Sequence, residues 1–235
     1  MTEQEWQAGY DSWVMADWLI RSRKTLANQP SDRKLRLFAC ACARHGWYRL
    51  GYEQSRQAVV VAERYADELE DGAGLLDAAV EAFRAHDGYT DSPELAAAEC
   101  CNPIAAHAAS NASDLPIAAK EKKAAILRDT IGSPNRKVLL PPAQRSENAQ
   151  RLAQSAYEGR DPKTGLLDPF ILCLVADALE EAGCDHVPLL RSLRGYTPCV
   201  HDASPCDDCG GTGWKRATVG RYRGFWPVDL ILGKE

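Results

Sequence analysis

The sequence predicts an all-α fold, an irregular multi-helix array with a Cys- and Gly-rich, zinc-clipped loop near its C-terminal end. Apolar residues recur at three-to-four spacing along most of the chain, which is the period of an amphipathic helix. Capping residues precede these segments and glycines follow them. With 235 residues, 45% of them apolar, the chain is long enough to bury a sizeable core.

The first predicted unit is a helical array over residues 1–132. A capping box at residues 2–5 begins its first helix. Residues 32–49 predict a central helix, because the middle of this segment is apolar on nearly every side. Gly132 ends the last helix, since glycine is common just past a helix C-terminus. The other helices predicted here span about residues 12–23, 53–69 and 75–85, with glycines breaking the chain at 72 and 74, and two or three Ala-rich helices between 93 and 131.

A proline-rich linker, residues 133–145, leads into a C-terminal helical part, residues 146–235. Three prolines in the linker exclude a continuous helix. The pair Asp168-Pro169 predicts the cap and first position of a new helix. The Cys-rich loop, residues 196–224, shows no helical period. The remaining segments are predicted helices at about 146–158, 170–182 and 187–194, and an apolar closing turn or strand at 225–232.

Charge and hydropathy argue against two classes of partner. The formal net charge is −5, from 28 basic and 33 acidic residues, so the chain as a whole lacks the basic surface of a nucleic-acid binder. No run of 18 or more apolar residues predicts a membrane span. The first six residues are polar and acidic, unlike a secretory signal. We therefore expect a cytoplasmic protein without a membrane partner.

Two charged clusters belong to the predicted helices. Arg33, Lys34 and Arg36 crowd the first turn of the central helix, where positive charge is unfavourable for the helix dipole. We expect salt bridges or solvated charges there, and the alternative is a bound anion or partner carboxylates. Four acidic residues between 67 and 71 end another helix, and we expect their side chains to be solvated.

The nine cysteines are an odd number, so they cannot all pair in disulfides within one chain. Five lie among apolar residues of predicted helices, where cysteine packs as a small hydrophobe. These five are Cys40, Cys42, Cys100, Cys101 and Cys173. Three more lie in the Gly-rich loop, where packing explains little.

Cys206 and Cys209 predict a metal knuckle. They stand two residues apart and glycines follow at once, so a turn places both thiolates on one side and backbone amides bend toward the sulfurs. A closed zinc site needs four ligands. The nearest further candidates are Cys199 and His201, which would complete an accepted structural set of three cysteines and one histidine.

Three alternatives to this ligand set stay open. The C-x-H spacing of Cys199 and His201 is unusual, so in one alternative only one of them binds the metal directly. Cys184 or His186 would then supply the fourth ligand. A flexible loop with reduced cysteines would bind no metal. A redox pair is less favoured, because Gly210-Gly211 prevents the helix that follows a thioredoxin-type motif. A structural metal is favoured over a catalytic one, which keeps an open coordination position beside an acid or base.

A basic and aromatic segment, residues 214–226, follows the knuckle. Basic residues interleaved with aromatic ones are able to track a nucleic-acid strand. We expect instead a surface loop anchored by its aromatic side chains, which leaves nucleic acid as the second choice of partner. The candidate contact residues are Trp214, Lys215, Arg216, Arg221 and Arg223.

The cysteine motif resembles part of a known zinc domain. Residues 206–213, Cys-Asp-Asp-Cys-Gly-Gly-Thr-Gly, resemble one C-x-x-C-x-G-x-G unit of the cysteine-rich domain of J-domain co-chaperones. That domain has several such units and this chain has one, without the His-Pro-Asp of a J-domain. The resemblance implies a metal clip and not chaperone activity.

Most of the chain resembles an expanded family of uncharacterised bacterial helical proteins. The resemblance implies the helical fold and brings no activity. It also implies that the Cys-rich loop is an insertion, since members of that family pass from the last long helix almost directly to the closing segment. The matching segments are residues 1–6 (MTEQEW), 31–40 (SDRKLRLFAC), 58–67 (AVVVAERYAD), 176–184 (ADALEEAGC) and 226–235 (WPVDLILGKE).

These observations favour a non-enzymatic protein-interaction or regulatory module with a structural zinc knuckle and an unknown protein partner. The reason is that no set of polar residues converges as a catalytic site requires. One alternative is a metal- or thiol-dependent enzyme that uses Cys206, Cys209 and His201. The other is a nucleic-acid-binding protein that uses residues 214–226.

Overall fold

Helices make up most of the chain, which confirms the all-α prediction. The computed structural model describes residues 1–85, 92–116, 118–199, 206 and 208–234. In these ranges the only sheet has two short strands, β1 (Tyr196–Pro198) and β2 (Trp214–Arg216). The helices are α1 (Glu3–Ala8), α2 (Ser12–Ser22), α3 (Asp32–His45), α4 (Glu53–Ala66), α5 (Gly72–Ala85), α6 (Pro93–Glu99), α7 (Ala105–Asp114), α8 (Lys120–Ile131), α9 (Glu147–Glu158), α10 (Pro169–Glu181), α11 (Val187–Leu193) and α12 (Trp226–Leu232).

Local capping signals set several helix starts. The predicted capping box is present, since the Thr2 hydroxyl accepts from the Glu5 amide at 3.2 Å and the Glu5 carboxylate accepts from the Thr2 amide at 2.7 Å. The start of α5 differs from the prediction, because Gly72 and Gly74 lie inside the helix. Asp71 explains the difference, since its carboxylate accepts from the Gly74 amide at 2.8 Å and caps the helix.

The central helix α3 is buried along most of its length, as predicted. It packs against α4, α6, α7 and α8 and forms the middle of a first hydrophobic core. The helix ends at His45, earlier than predicted, because the chain turns at Gly46 and continues as a short 3₁₀ turn over Trp47–Arg49. Two residues that follow the hairpin, Val219 and Tyr222, belong to this first core.

A second hydrophobic core lies among α9, α10, α11 and α12. Leu140 from the proline-rich segment and Leu167 from the loop before α10 complete it. The predicted closing segment is the helix α12, so the strand alternative is not realised. The division into residues 1–132, 133–145 and 146–235 stays a prediction.

Four of the helical cysteines pack as small hydrophobes, as expected. Cys40, Cys42, Cys100 and Cys101 are all buried in the first core. Cys173 is partly exposed on α10. Among the described residues, each helix is too short or too polar to cross a lipid bilayer.

Candidate metal centre

A small β-hairpin carries the three cysteines of the Gly-rich loop. Its strands β1 and β2 are antiparallel, with Tyr196 opposite Arg216 and Pro198 opposite Trp214. The ladder continues past β1, since the Cys199 amide donates to the Gly213 carbonyl at 2.9 Å. Cys199 therefore lies directly beside the end of the glycine-rich turn. Strands of three residues are too short to show a period in the sequence, which is why the hairpin was not predicted.

The turn between Cys206 and Gly213 folds both of its thiols to one side. The Gly210 amide donates to the Cys206 carbonyl at 2.8 Å, which closes the turn around the C-x-x-C pair. Gly210, Gly211 and Gly213 have φ angles of 54°, 80° and 74°. Glycine adopts this left-handed conformation without the steric cost that other residues meet. The glycines that follow the cysteines are thus required by the backbone path.

The three sulfur atoms form a compact triangle. Those of Cys199, Cys206 and Cys209 all lie within 4.8 Å of one another, and the first two are 3.6 Å apart. Zinc–thiolate bonds of about 2.3 Å in a tetrahedral site place sulfurs about 3.8 Å apart. The three thiols therefore fit a single zinc ion, and the C-terminal Cys cluster predicted from the sequence is present.

Backbone amides prepare one of these thiols for metal binding. Burial opposes ionisation of Cys209, but hydrogen bonds from the amides of Gly213 and Gly211, together with those from the Cys199 and Cys206 thiols, outweigh it and lower the pKa of this thiol. Burial and hydrogen bonds with Cys206 and Cys209 raise the pKa of Cys199 to about 11. One thiol is thus disposed toward the thiolate form that binds metal, and the other is protonated when no cation is near.

The fourth ligand is not supplied by the described part of the chain. Cys184 and His186 lie outside the group of three sulfurs. Cys184 is buried in the second core, and His186 caps α11 by accepting the Leu189 amide at 3.1 Å. The structure therefore removes these two alternatives. His201 lies outside the described residues and stays the predicted fourth ligand.

The basic and aromatic segment separates into two parts. Arg221 and Arg223 are buried, each 7% exposed. Arg221 forms an ion pair with Asp129, and Arg223 forms one with Asp67. These two arginines were candidate contacts for a nucleic-acid strand, and burial in internal ion pairs corrects that prediction. Their role is structural, because each guanidinium is engaged in an internal ion pair.

The other three candidate contacts remain at the surface of the hairpin. Trp214 and Lys215 are half-buried, and Arg216 is exposed. The Lys215 ammonium lies 3.2 Å from the Asp208 carboxylate, and the Arg216 guanidinium lies 4.5 Å from the centre of the Tyr196 ring. The surface offered to a partner is therefore confined to the strands of the hairpin and their immediate neighbours.

The charged first turn of α3 is paired with buried carboxylates. Arg33 contacts Asp67 at 2.9 Å and Asp229 at 2.7 Å, and Lys34 contacts Asp229 at 2.6 Å. The expected salt bridges are confirmed for Arg33 and Lys34, whereas Arg36 donates instead to the backbone carbonyls of Cys100 and Asn102. The expectation that Asp67 is solvated is wrong, because only 1% of its side chain is exposed.

The Asp67 carboxylate is the centre of a buried ion network. The Tyr157 hydroxyl donates to it at 2.6 Å, and Arg33 and Arg223 contact it as well. Burial opposes ionisation of Asp67, but the Tyr157 hydrogen bond and the charges on Arg223 and Arg33 outweigh it and lower the pKa. Its neighbour Glu63 pairs with Arg44 through two contacts of 2.9 Å.

Comparison with known proteins adds no further identification. No protein-family model, curated protein or solved structure matches this chain. The candidate site is therefore interpreted from its own geometry.

Proposed function

We propose that the protein is a non-enzymatic interaction or regulatory module in which a structural zinc ion clips a surface hairpin. The observation that supports it is the triangle of Cys199, Cys206 and Cys209 sulfurs, all within 4.8 Å of one another. His201 is the proposed fourth ligand. A set of three cysteines and one histidine is a closed structural composition for zinc.

The hairpin needs such a clip. A two-stranded ribbon is only marginally stable by itself, and each strand here has three residues. Metal binding that requires the folded arrangement contributes directly to its folding free energy. Zinc held by Cys199 on one side and by Cys206 and Cys209 on the other would close the hairpin at its turn.

The clipped hairpin presents a surface suited to a protein partner. Trp214 and Arg216 are of the residue types enriched at interaction hot spots. Arg216 and Arg191 both lie against the Tyr196 ring, at 4.5 and 5.5 Å from its centre, which holds the ring in place. No disulfide joins any of the nine cysteines, all of which the structure describes, as expected in a reducing compartment, and we propose the cytoplasm.

The metal content of the purified protein tests the clip. We expect about one zinc per chain, lost in Cys206→Ser and in Cys209→Ser. Cys173→Ser is the matched control, since Cys173 lies on α10 and is also partly exposed. His201→Ala is expected to weaken zinc retention against a chelator. Metal-free wild-type protein with an ordered hairpin would contradict the proposal.

Capture of partners from the native cytoplasm tests the interaction. The proteins retained by the wild-type chain are compared with those retained by Trp214→Ala, Cys206→Ser and Cys173→Ser. We expect a partner that the first two substitutions lose and the third keeps. If every retained protein binds all four chains equally, the hairpin is not the interaction surface.

The two alternatives are separated by direct measurements. In a metal-dependent enzyme, an added anion such as azide would change the absorption spectrum of the cobalt-substituted site, whereas a closed structural site leaves it unchanged. A nucleic-acid binder would retain DNA or RNA at low salt through Lys215 and Arg216. No retention at any salt concentration removes that alternative.

A further inference from the structure

Two adjoining cavities form a cleft between the hairpin and the helices α1 and α8. Their volumes are about 370 and 220 Å³, and they share lining residues from all three elements. Among the shared residues are Gln7 of α1, Arg128 of α8 and Thr197 of β1. Ligand pockets are concave sites of about 300–1,000 Å³ with a few convergent polar groups, and the two adjoining cavities together have these properties.

The cleft is positively charged in a protein that is negatively charged overall. Five cationic side chains and three carboxylates line it, whereas the whole chain carries a net charge of −5. The cations are Lys122, Arg128, Arg136, Lys215 and Arg221, and the carboxylates are Glu3, Glu121 and Asp129. A cationic cleft focuses the field on an anion and raises its local concentration.

Three of these cations have no carboxylate partner in the described part of the chain. Lys122 donates to the Thr218 carbonyl at 2.9 Å, and Arg128 donates to the carbonyls of Trp6 and Gly9 at 3.3 and 2.5 Å. Arg136 is exposed at the rim, where it forms no ion pair with a described residue. These guanidinium and ammonium groups are able to bind an anion without losing an existing ion pair.

The smaller cavity adds flat apolar walls to this charge. Trp214 and Trp226 both line it, together with Pro188 and Pro198. His186 lines it too, and its Nδ1 accepts from the Leu189 amide at 3.1 Å, which leaves the proton of the neutral ring on Nε2. The cavity therefore combines aromatic surface with a ring N–H donor beside the arginines.

We propose that this cleft binds a mononucleotide. The aromatic base lies in the smaller cavity against Trp214 and Trp226, and the phosphate lies in the larger one near Arg128 and Lys122. Arginine matches phosphate through its planar fork of donors, and indole rings stack on bases. Arg128 lines both cavities and thus stands where base and phosphate join. Burial disfavours the charge of this guanidinium and lowers its pKa, and a phosphate beside it would stabilise that charge.

Calorimetric titration of the purified protein tests this proposal with AMP, ATP, adenosine and inorganic phosphate as probes. We expect saturable binding of a nucleotide, and weaker binding of adenosine and of phosphate, since each carries one half of the ligand. Lys122→Ala and Arg136→Ala are each expected to weaken nucleotide binding about tenfold, as for loss of a charge-assisted contact. Trp214→Ala is expected to weaken the binding of AMP more than the binding of inorganic phosphate.

Lys137→Ala is the matched control, because Lys137 is an exposed cation beside Arg136 that does not line the cleft. Circular dichroism identifies variants that remain folded. No saturable binding of AMP or ATP overturns the proposal, as does equal binding of inorganic phosphate and nucleotide. Nucleotide binding unchanged in Lys122→Ala and Arg136→Ala places the ligand elsewhere and overturns it too.

Zinc content is measured on the same samples. A protein that holds zinc and binds no nucleotide overturns this inference and leaves the proposed metal clip standing. A protein that binds nucleotide but holds no zinc supports this inference and overturns the proposed metal clip.

Discussion

The two halves of residues 195–224 are fixed to the protein in opposite ways. The first half, the hairpin, is held by its own backbone ladder, and the proposed metal at Cys199, Cys206 and Cys209 would close it further. The second half is held by Arg221 and Arg223, whose buried side chains pair with carboxylates of the helical body. A single Gly-rich, basic stretch thus contains an element that is closed upon itself and an anchor that belongs to the core.

This difference shows that a basic residue in a loop can be either an exposed side chain or a buried member of an ion pair. Arg216 and Arg223 lie seven residues apart in the same kind of sequence, yet Arg216 is exposed and Arg223 is buried. A buried charge is stable only when it is paired and hydrogen-bonded, so its carboxylate partner becomes essential. A cation at the surface is solvated by water and needs no carboxylate partner. Substitutions in the two halves should therefore have very different consequences.

The largest expected effect comes from removing the carboxylate at the anchor. Asp67→Asn leaves Arg33 and Arg223 buried beside a neutral side chain, and breaking a buried pair in this way costs about 3–5 kcal/mol. We expect a loss of this order in the free energy of unfolding, measured by urea denaturation. Glu68→Gln, at the exposed neighbouring position, is the control and should change it little. Equal stability of the two variants would mean that the anchor contributes nothing.

Glycine-to-alanine substitutions compare the two halves directly. Gly224 has φ of 88°, and a Cβ there would lie 2.9 Å from the Leu37 Cβ, so Gly224→Ala should cost about 2 kcal/mol of global stability. Gly210 has φ of 54° and open space around it. Gly210→Ala should therefore perturb the hairpin locally and leave the global melting temperature close to that of the wild-type protein. If Gly210→Ala lowered the global stability more than Gly224→Ala, the hairpin and not the anchor would be the half that stabilises the fold.

Acid should weaken the anchor in a defined pH range. The pKa of Asp67 is lowered in the folded state, so its stabilising contribution is complete above the unfolded carboxyl pKa of about 3.9 and is lost as pH falls through the folded value. Each proton taken up on unfolding contributes a slope of about 1.4 kcal/mol per pH unit. We expect Asp67→Asn to show a shallower acid limb than wild type in urea midpoints between about pH 2 and 6. Superimposable acid limbs would contradict this assignment.

Metal removal should produce the smallest global effect and the most localised one. After chelation, we expect amide hydrogen exchange to accelerate at Cys199, whose amide bonds to the Gly213 carbonyl, and within β2. Exchange in α12 should stay unchanged, because the ion pairs of Asp229 hold that helix. Uniform acceleration in both regions would show that zinc stabilises the whole fold, whereas no change at Cys199 would show that the hairpin needs no metal.

Local signals in the sequence predicted local structure well. The capping residues Thr2 and Asp168 mark helix starts because each acts on amides within three residues. The central position of α3 followed from its apolar surface. The cysteine cluster was likewise predicted from C-x-x-C and its glycines, since the turn that gathers Cys206 and Cys209 is local.

Ion pairs between residues far apart along the chain could not be predicted from the sequence. Asp67 looks like any acidic residue at a helix end, and nothing near it indicates that Arg33 and Arg223 will meet there. The separations are 34 residues for Arg33 and 156 for Arg223, and only the packing of helices brings these groups together. The burial of Arg221 and Arg223 was missed for the same reason.

The ion pair between Arg33 and Asp229 spans 196 positions of the chain. During synthesis, α3 and its nearer partner Asp67 are therefore made long before Asp229, the second carboxylate that pairs with the first turn of α3. The early helices are able to gather around their apolar faces, but the ion network at the start of α3 stays incomplete until α12 has been made. Completion of this ion network therefore follows the synthesis of residue 229 and cannot guide the first packing of α3.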